Sequence, residues 1–406
     1  MKKYSLYHIV LLCIAILIVD IFAFYWLQSI TRLLHPPYLR KWINIIFWIF
    51  TSGLIIAILV LKIRMDHISQ HRRYLLISSL YGLTVSSFIP KLIFVLVISV
   101  LYFTNFIITD QQSLLLVPLA GLVAGLLPFF VIVYAIFRSL YRFKVYHVKV
   151  NHRCLPSAFD GVRIIHISDT HLGSFNSRFH IFDRAVSIIN HLEPDYIFFT
   201  GDLVNNYAYE LQGWEETFTK MKARRGKFAV PGNHDYGDYS EWPSETAKTA
   251  NFSAIKEFYE RIGFRLLLND SFITRNGVDY MAIIGVENWG MPPGPNYCDL
   301  KKAVSGVIDV PFKILLSHDP RHWPKEVVGD TDIALTLSGH THGMQAAITL
   351  RNKSWSPIQY KYEHWAGLYQ EAEQYLYVNR GLGWLGFPGR LGMRPEITMI
   401  TLTIKQ

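Results

Sequence analysis

Val162-Arg-Ile-Ile-His-Ile-Ser-Asp169-Thr-His171 is an apolar run that ends abruptly in an aspartate and a histidine two positions apart. Its β-branched residues predict a buried β-strand. Carboxylate and imidazole groups both bind metal ions. We therefore predict that the C-terminal end of this strand delivers Asp169 and His171 to a shared pocket.

Four further apolar runs of the chain end in the same way. Loops at the C-terminal ends of strands in an α/β sheet converge on one crevice. We therefore expect the five runs to present their polar residues at one sheet edge, since unrelated turn or cap residues would not all fall at such ends. The later endings carry Asp202, Asn233 with His234, His318, and His340 with His342.

The composition indicates two units, one of which lies in a membrane. The chain has 406 residues, 51% hydrophobic and only 17% charged, an imbalance typical of membrane segments. The formal net charge of +9 fits basic loops beside a membrane. We expect no nucleic-acid partner, because no basic stripe with interleaved aromatic residues occurs in the sequence. Cys13, Cys154 and Cys298 share no metal-binding spacing and indicate no disulfide framework.

The N-terminal part contains four stretches long and apolar enough to cross a bilayer. The third is longer than one span needs and contains Pro90, so it is either one kinked helix, which we favour, or two half-spans. Asp20 lies inside the first span, where an ionisable residue indicates either a functional group or packing between helices. The apolar stretches run over about residues 9–27, 42–61, 74–108 and 114–137.

Residues 1–145 form the predicted membrane domain, and residues 146–406 form the second domain. Lys and Arg are concentrated at the amino end, in the loop after the second span and after the fourth span. The positive-inside rule therefore places both termini in the cytoplasm. In the second domain, strands alternate with helical patterns over 177–192 and 211–223, whereas 242–250 is typical of a surface loop.

The polar residues at the strand ends make seven candidate metal ligands, enough for two divalent ions that share a carboxylate. Mixed imidazole and oxygen ligands suit Mn, Fe or Zn better than Mg or Ca. Two such ions about 3.5–4 Å apart clamp the attacking and leaving oxygens of a phosphate ester. His234 is then free to meet the phosphoryl oxygen or to protonate the leaving group. The candidate ligands are Asp169, His171, Asp202, Asn233, His318, His340 and His342.

These motifs, in this order, resemble the calcineurin-like metallophosphoesterases, over about residues 160–404. The C-terminal run with Arg390 and Glu396 is similar to the membrane-associated bacterial branch. The resemblance implies that the second domain has an α/β fold, a two-sheet β-sandwich flanked by helices. This domain follows the predicted all-α four-span bundle in the sequence. It also implies that Asp202 bridges two metals and that His234 is the catalytic histidine. Asp169, His171 and His342 would hold one metal, and Asn233, His318 and His340 would hold the other.

Three other positions bear on the site. Family members often carry an aspartate three residues after the bridging aspartate, where it orients the catalytic histidine; this chain has Asn205 there. Asn205 can accept a hydrogen bond from the His234 imidazole but cannot stabilise an imidazolium by charge. Arg390 and His364 are candidate substrate contacts. Among the remaining histidines, His322 is expected on a solvated helix.

Three functions are kept apart. The first is a membrane-anchored two-metal phosphoesterase acting on a phosphate ester or pyrophosphate, with a phospholipid-like or lipid-linked substrate and the membrane lipid itself as partners. The resemblance suggests UDP-2,3-diacylglucosamine pyrophosphatase activity in lipid A synthesis, with the catalytic domain on the cytoplasmic side of the bacterial inner membrane. The second is a metal-containing but catalytically silent binding module. The third, a transporter or channel with a regulatory domain, is disfavoured because only Asp20 and Pro90-Lys91 interrupt the spans.

Overall fold

The computed structural model describes residues 6–32, 34–68, 70–109, 116–350 and 353–405. These residues divide into two compact units. The membrane unit contains the four N-terminal helices up to Phe137 together with residues 386–389. The second unit begins at Arg138 and contains the rest of the chain.

Each of the four predicted spans is a helix. All four are long and apolar enough to cross a membrane, which confirms the four predicted spans. α3 continues through Pro90, so it is a single helix and not two half-spans. The helices are α1 (Leu6–Thr31), α2 (Pro37–Arg64), α3 (Gln70–Thr109) and α4 (Leu116–Phe137).

Two glycines bring α3 and α4 close together. A Cβ atom at Gly121 would lie 2.9 Å from the Ile98 side chain, and one at Gly125 would lie 2.9 Å from that of Phe94. Small residues four apart allow helix backbones to approach within a membrane. The Gly-x-x-x-Gly pattern of α4 therefore serves packing within this unit.

Asp20 is a charged residue that lies buried within the helices, with 1% of its surface exposed. Lys91 Nζ lies 2.8 Å from its carboxylate, and the Thr51 hydroxyl donates to the same oxygen. An intramembrane charge is costly unless it is paired. The contacts therefore account for Asp20 by packing, since they join α1, α2 and α3.

The second unit is a mixed α/β structure. Its helices are α5 (Ile181–His191), α6 (Glu215–Thr219), α7 (Glu245–Arg261) and α8 (Leu300–Val304). Its strands are β1 (Lys144–His152), β2 (Arg163–Ile167), β3 (Tyr196–Thr200), β4 (Gly226–Val230), β5 (Arg265–Leu266), β6 (Asp270–Asn276), β7 (Asp279–Gly285), β8 (Lys313–Leu316), β9 (Leu335–Ser338), β10 (Ile348–Leu350), β11 (Lys353–Trp355), β12 (Gly367–Glu371), β13 (Gln374–Val378) and β14 (Glu396–Ile404).

The strands form two six-stranded sheets and one hairpin. The first sheet has the order β1-β14-β2-β3-β4-β5, in which β2 to β5 run parallel. The second has the order β12-β13-β9-β8-β7-β6, with antiparallel strands at both edges of a parallel centre. β10 and β11 form the hairpin.

Side-chain alternation along the strands builds the layers of this unit. Ile164 and Phe198 face a core shared with Ile314 of the second sheet. Their sequence neighbours Ile165 and Phe199 face the opposite way, into a core shared with α5 and α7. The outer face of the second sheet packs against α8. The predicted two-sheet sandwich flanked by helices is confirmed.

Two local predictions were wrong. The residues from 242 to 250 are not all loop, because α7 begins at Glu245, where the Ser244 side chain accepts a hydrogen bond from the Ala247 amide. His322 is buried and not solvated, and its Nδ1 lies 2.9 Å from the Ser317 hydroxyl. Periodicity alone did not show that the segment after β8 folds back onto the core.

Candidate metal centre

Five loops carry the seven predicted ligands, and each loop follows a strand directly. Three of these strands, β2, β3 and β4, belong to the first sheet, whereas β8 and β9 belong to the second. The expectation of one sheet edge was therefore wrong in this respect: both sheets contribute. The seven side chains lie together because the carboxyl ends of both sets of strands meet.

The backbone at these loops adopts a conformation that L-residues rarely take. Five of the seven predicted ligands have φ between +45° and +71°. Non-glycine residues in the left-handed region cost energy and cluster at functional sites. The loops are therefore shaped to aim these side chains inward at a cost in stability. The five are Asp169, His171, Asp202, His340 and His342.

Four of the ligands form a first, fully buried group. Their ligand atoms all lie within 4.8 Å of one another, and the group consists of Asp169, His171, Asp202 and His342. His171 Nε2 is 3.0 Å from His342 Nε2, and His342 Nε2 is 3.3 Å from Asp169 Oδ1. We call this set the inner group.

A second group shares Asp202 with the inner group and adds His318 and His340, again within 4.8 Å. Asn233 completes it, because its Oδ1 lies 2.7 Å from His340 Nδ1 and 3.1 Å from His318 Nε2. His340 is partly exposed, unlike every member of the inner group. We call this set the outer group.

Hydrogen bonds behind two of the histidines fix which nitrogen faces the cluster. His318 Nδ1 donates to the Thr200 carbonyl at 2.6 Å, and His171 Nδ1 donates to Asn205 Oδ1 at 3.0 Å. In both rings Nε2 is therefore the nitrogen that faces the neighbouring ligands. Such outer hydrogen bonds are typical of metal-binding histidines.

The electrostatics favour a cation at the centre of the cluster. Burial lowers the pKa of His171 to about 3 and holds that of His342 well below its ordinary value, so both rings are neutral donors. Burial also disfavours a charged His318, but the Asp202 carboxylate outweighs this effect and raises the pKa of His318 to about 10. A metal ligand must lose such a proton. Asp202 stays ionised, because His318 and His234 overcome its burial and hold its pKa well below the usual range.

The donor set fits divalent metal ions. In the described part of the chain, His342 Nδ1 is buried without a hydrogen-bond partner, while His342 Nε2 faces the lone pair of His171 Nε2. A cation bound here would take the lone pairs of both Nε2 atoms, with the His342 proton on Nδ1. Neutral imidazoles with carboxylates suit a transition metal better than Ca or Mg.

His234 lies next to both groups. Its ring centroid is 5.0 Å from that of His171, and its amide donates to Asp202 Oδ1 at 2.9 Å. Its Nδ1 donates to the main-chain carbonyl of Asn205 at 2.7 Å. The structure thus differs from the expected side-chain contact: the Asn205 carbonyl holds His234, whereas the Asn205 side chain holds His171.

Asp235 is a structural residue of the site that the sequence analysis left unassigned. It is fully buried and accepts hydrogen bonds from the backbone amides of Asp202, Leu203 and Gly232 at 2.9–3.1 Å. Its carboxylate therefore holds the loops after β3 and β4 together. An acidic residue directly after Asn233-His234 was the available signal.

The two candidate substrate contacts lie as follows. Arg390 is fully buried and donates to the carbonyls of Gly383 and Arg380. The His364 ring packs edge-on against Trp323 and Tyr369, with centroids 5.2 Å and 4.6 Å away. Both residues make protein contacts, and their roles toward substrate stay predictions.

Comparison with known proteins agrees with this fold and this donor set. Residues 162–344 match the model of the calcineurin-like phosphoesterases, and residues 5–140 match that of a probable calcineurin-like phosphoesterase transmembrane domain. The chain belongs to the calcineurin-like metallophosphoesterase family, a family of hydrolases that use divalent metals. It is a membrane protein by the same matches and by its four apolar helices.

Three relatives illustrate the range of the family. A transmembrane protein with metallophosphoesterase domain from Danio rerio is 31% identical over 64% of this chain and 57% of its own length. The uncharacterized metallophosphoesterase YkuE of Bacillus subtilis is 33% identical over 61% of this chain and 81% of its own length. The UDP-2,3-diacylglucosamine pyrophosphatase LpxG of Chlamydia muridarum is 28% identical over 56% of this chain and 81% of its own length. The chain thus spans little more than half of the first of these relatives.

Proposed function

We propose that this protein is a membrane-anchored phosphoesterase that hydrolyses a phosphate ester or a pyrophosphate with two divalent metal ions. The observation that carries the proposal is the sharing of Asp202 between the inner and outer groups, with His234 beside both. Asp169, His171 and His342 would hold one ion, and Asn233, His318 and His340 the other, with Asp202 between them. When bound, the ions supply Lewis acidity and an activated water.

His234 is the proposed proton donor to the leaving group. Because its Nδ1 donates to the Asn205 carbonyl, its Nε2 is the nitrogen left to exchange a proton with substrate. Asn205 acts in this scheme by its carbonyl on His234 and by its side chain on His171. Asp235 keeps the loops of Asp202 and His234 in register.

A lipid-linked substrate is the finer part of the proposal. The four apolar helices anchor the chain in the bilayer. The similarity to LpxG supports UDP-2,3-diacylglucosamine as the first compound to test. We propose a domain boundary near residue 145 and a catalytic domain on the cytoplasmic side of a bacterial inner membrane, which the basic loops support. Mn, Fe and Zn are the proposed metals, and Arg390 and His364 remain proposed substrate contacts.

The test uses the full chain in detergent, loaded with Mn and compared with His234→Ala. The substrates are bis-p-nitrophenyl phosphate, p-nitrophenyl phosphate and UDP-2,3-diacylglucosamine. We expect metal-dependent turnover that falls about 10²–10⁴-fold in His234→Ala, the range for loss of a general acid. His191→Ala is the matched control, because His191 is exposed at the end of α5.

The outcomes separate the proposed enzyme from a silent metal-binding module. Turnover lost only in His234→Ala supports the hydrolase, and the preferred compound decides the question of the lipid. Two bound metals without turnover on any of the three compounds would favour the binding module.

A further inference from the structure

Two ligands of the outer group are each held from behind by a tyrosine hydroxyl. Asn233 Nδ2 donates to the Tyr239 hydroxyl at 2.9 Å, and His340 Nε2 lies 2.8 Å from the Tyr362 hydroxyl. The sequence analysis identified neither residue, because nothing local distinguishes them among 23 tyrosines. Their common placement indicates a common task.

Tyr239 decides which end of the Asn233 amide faces the cluster. An amide group can offer either an oxygen acceptor or a nitrogen donor, and only the oxygen binds a cation. Because Asn233 Nδ2 donates to Tyr239, Oδ1 points toward His318 and His340. The Tyr239 ring is held in turn against His234, with the two centroids 4.6 Å apart.

Tyr362 contacts the nitrogen of His340 that points away from the other ligands. Nδ1 faces Asn233 Oδ1 and His318 Nε2, so Nδ1 must present a lone pair to bind an ion there. This requires the tautomer with the proton on Nε2, which then donates to the Tyr362 oxygen. Tyr362 is 4% exposed, and its ring lies under the Arg321 guanidinium at 4.8 Å.

Arg321 is itself fixed, which makes the support behind His340 rigid. Its guanidinium donates from Nε to both carboxylate oxygens of Asp319, at 3.0 and 3.1 Å. Asp319 Oδ2 lies 3.7 Å from His340 Nε2. The phenol of Tyr362 is thus enclosed between His340 and a bidentate ion pair, and it cannot turn away without breaking several contacts.

We propose that Tyr239 and Tyr362 are positioning residues that select the metal-binding atoms of the outer group. They do for Asn233 and His340 what Asn205 and the Thr200 carbonyl do for His171 and His318. The inference rests on the two-metal part of the proposed function but not on turnover. It predicts that the two phenols control the affinity of the outer ion and leave the inner ion unchanged.

The test is a Mn²⁺ titration of the full chain in detergent. Binding is monitored by calorimetry and by electron paramagnetic resonance, which distinguishes paired from single Mn²⁺ ions. For Tyr362→Phe and Tyr239→Phe we expect one of two binding steps to weaken about 10–100-fold, the range for loss of such an outer hydrogen bond. The paired signal should then appear only at correspondingly higher Mn²⁺. Tyr360→Phe is the control, since Tyr360 is 80% exposed and only two residues away.

Three results would overturn the inference. They are unchanged binding in both variants, equal weakening of both steps together with a lower unfolding temperature of the metal-free protein, and a wild-type chain that binds a single Mn²⁺. A different result would support the inference while contradicting the proposed function. In that result the wild-type chain binds two ions and hydrolyses no substrate, and the variants lose one of the two binding steps.

Discussion

The inner and outer groups share Asp202 but differ in how the protein encloses them. Every ligand of the inner group is buried, and all four of its residues have left-handed backbone conformations. The outer group has two such residues, Asp202 and His340, and His340 is partly exposed. Backbone strain thus accompanies the closed half of the site, whereas tyrosine hydroxyls support the open half.

This difference shows how one centre can combine permanence with access. An ion surrounded by buried ligands leaves only when the loops open, whereas an ion at a partly exposed ligand exchanges without such opening. Substrate also needs an open coordination position. We therefore expect the inner ion to be retained and the outer ion to face substrate. Four measurements test this difference between the two groups.

The largest expected effect follows loss of the shared carboxylate. Asp202→Asn keeps the shape of the side chain but removes the charge that both groups use. We expect both metal affinities to fall by more than about 100-fold, which is the upper range for loss of a hydrogen bond to a metal ligand. Turnover should then be at background. Metal analysis and Mn²⁺ titration measure this, with exposed Asp309→Asn as control. Loss of only one ion would show that Asp202 does not bridge.

Metal removal by a chelator should occur in two steps. The outer ion should leave first, because His340 is the partly exposed ligand, and the buried inner ion should leave later. Each ion held at 100 times its Kd stabilises the folded state by about 2.7 kcal/mol. Complete removal should therefore lower the unfolding temperature in two separate decrements. Release of both ions in a single step would contradict the division into inner and outer groups.

Much of this centre could be predicted from the sequence because its ligands follow apolar strands directly. Asp169 and His340 are examples: each lies two residues beyond a strand end, and strand ends converge. The supporting groups could not be predicted in this way. Tyr362 reaches His340 from a separate loop, and the carbonyl of Asn205 holds His234 without any side-chain signature. Such contacts depend on tertiary geometry and not on local pattern.

Asn205 gives a smaller and more selective effect. Asn205→Ala removes the acceptor behind His171 but keeps the backbone carbonyl that holds His234. We expect the inner-ion affinity to fall about 10–100-fold and turnover to recover at saturating metal, with Asn205→Asp restoring the affinity. A turnover defect that persists at saturating metal would mean that the Asn205 side chain serves His234 after all.

The smallest expected effect concerns His166, which lies within β2, three residues before the inner-group ligand Asp169. His166 is fully buried, and its Nε2 lies 2.8 Å from the Thr200 hydroxyl. Burial lowers the pKa of His166 to about 3.

The unfolded chain, with a histidine pKa of about 6.5, therefore binds more protons between pH about 3 and about 6.5, so stability falls as the pH falls through that window. From pH 6.5 to 5 this single group should cost about 2 kcal/mol, at about 1.36 kcal/mol for each pH unit. His166→Gln cannot titrate but can still hydrogen-bond to Thr200. Its unfolding temperature in detergent should therefore fall less than that of the wild-type chain over the same pH interval, by roughly 4–8 °C for a domain of this size.

The control is exposed His191→Gln, whose unfolding temperature should depend on pH as that of the wild-type chain does. Parallel pH profiles for His166→Gln and the wild type would contradict a lowered pKa of His166 in the folded protein.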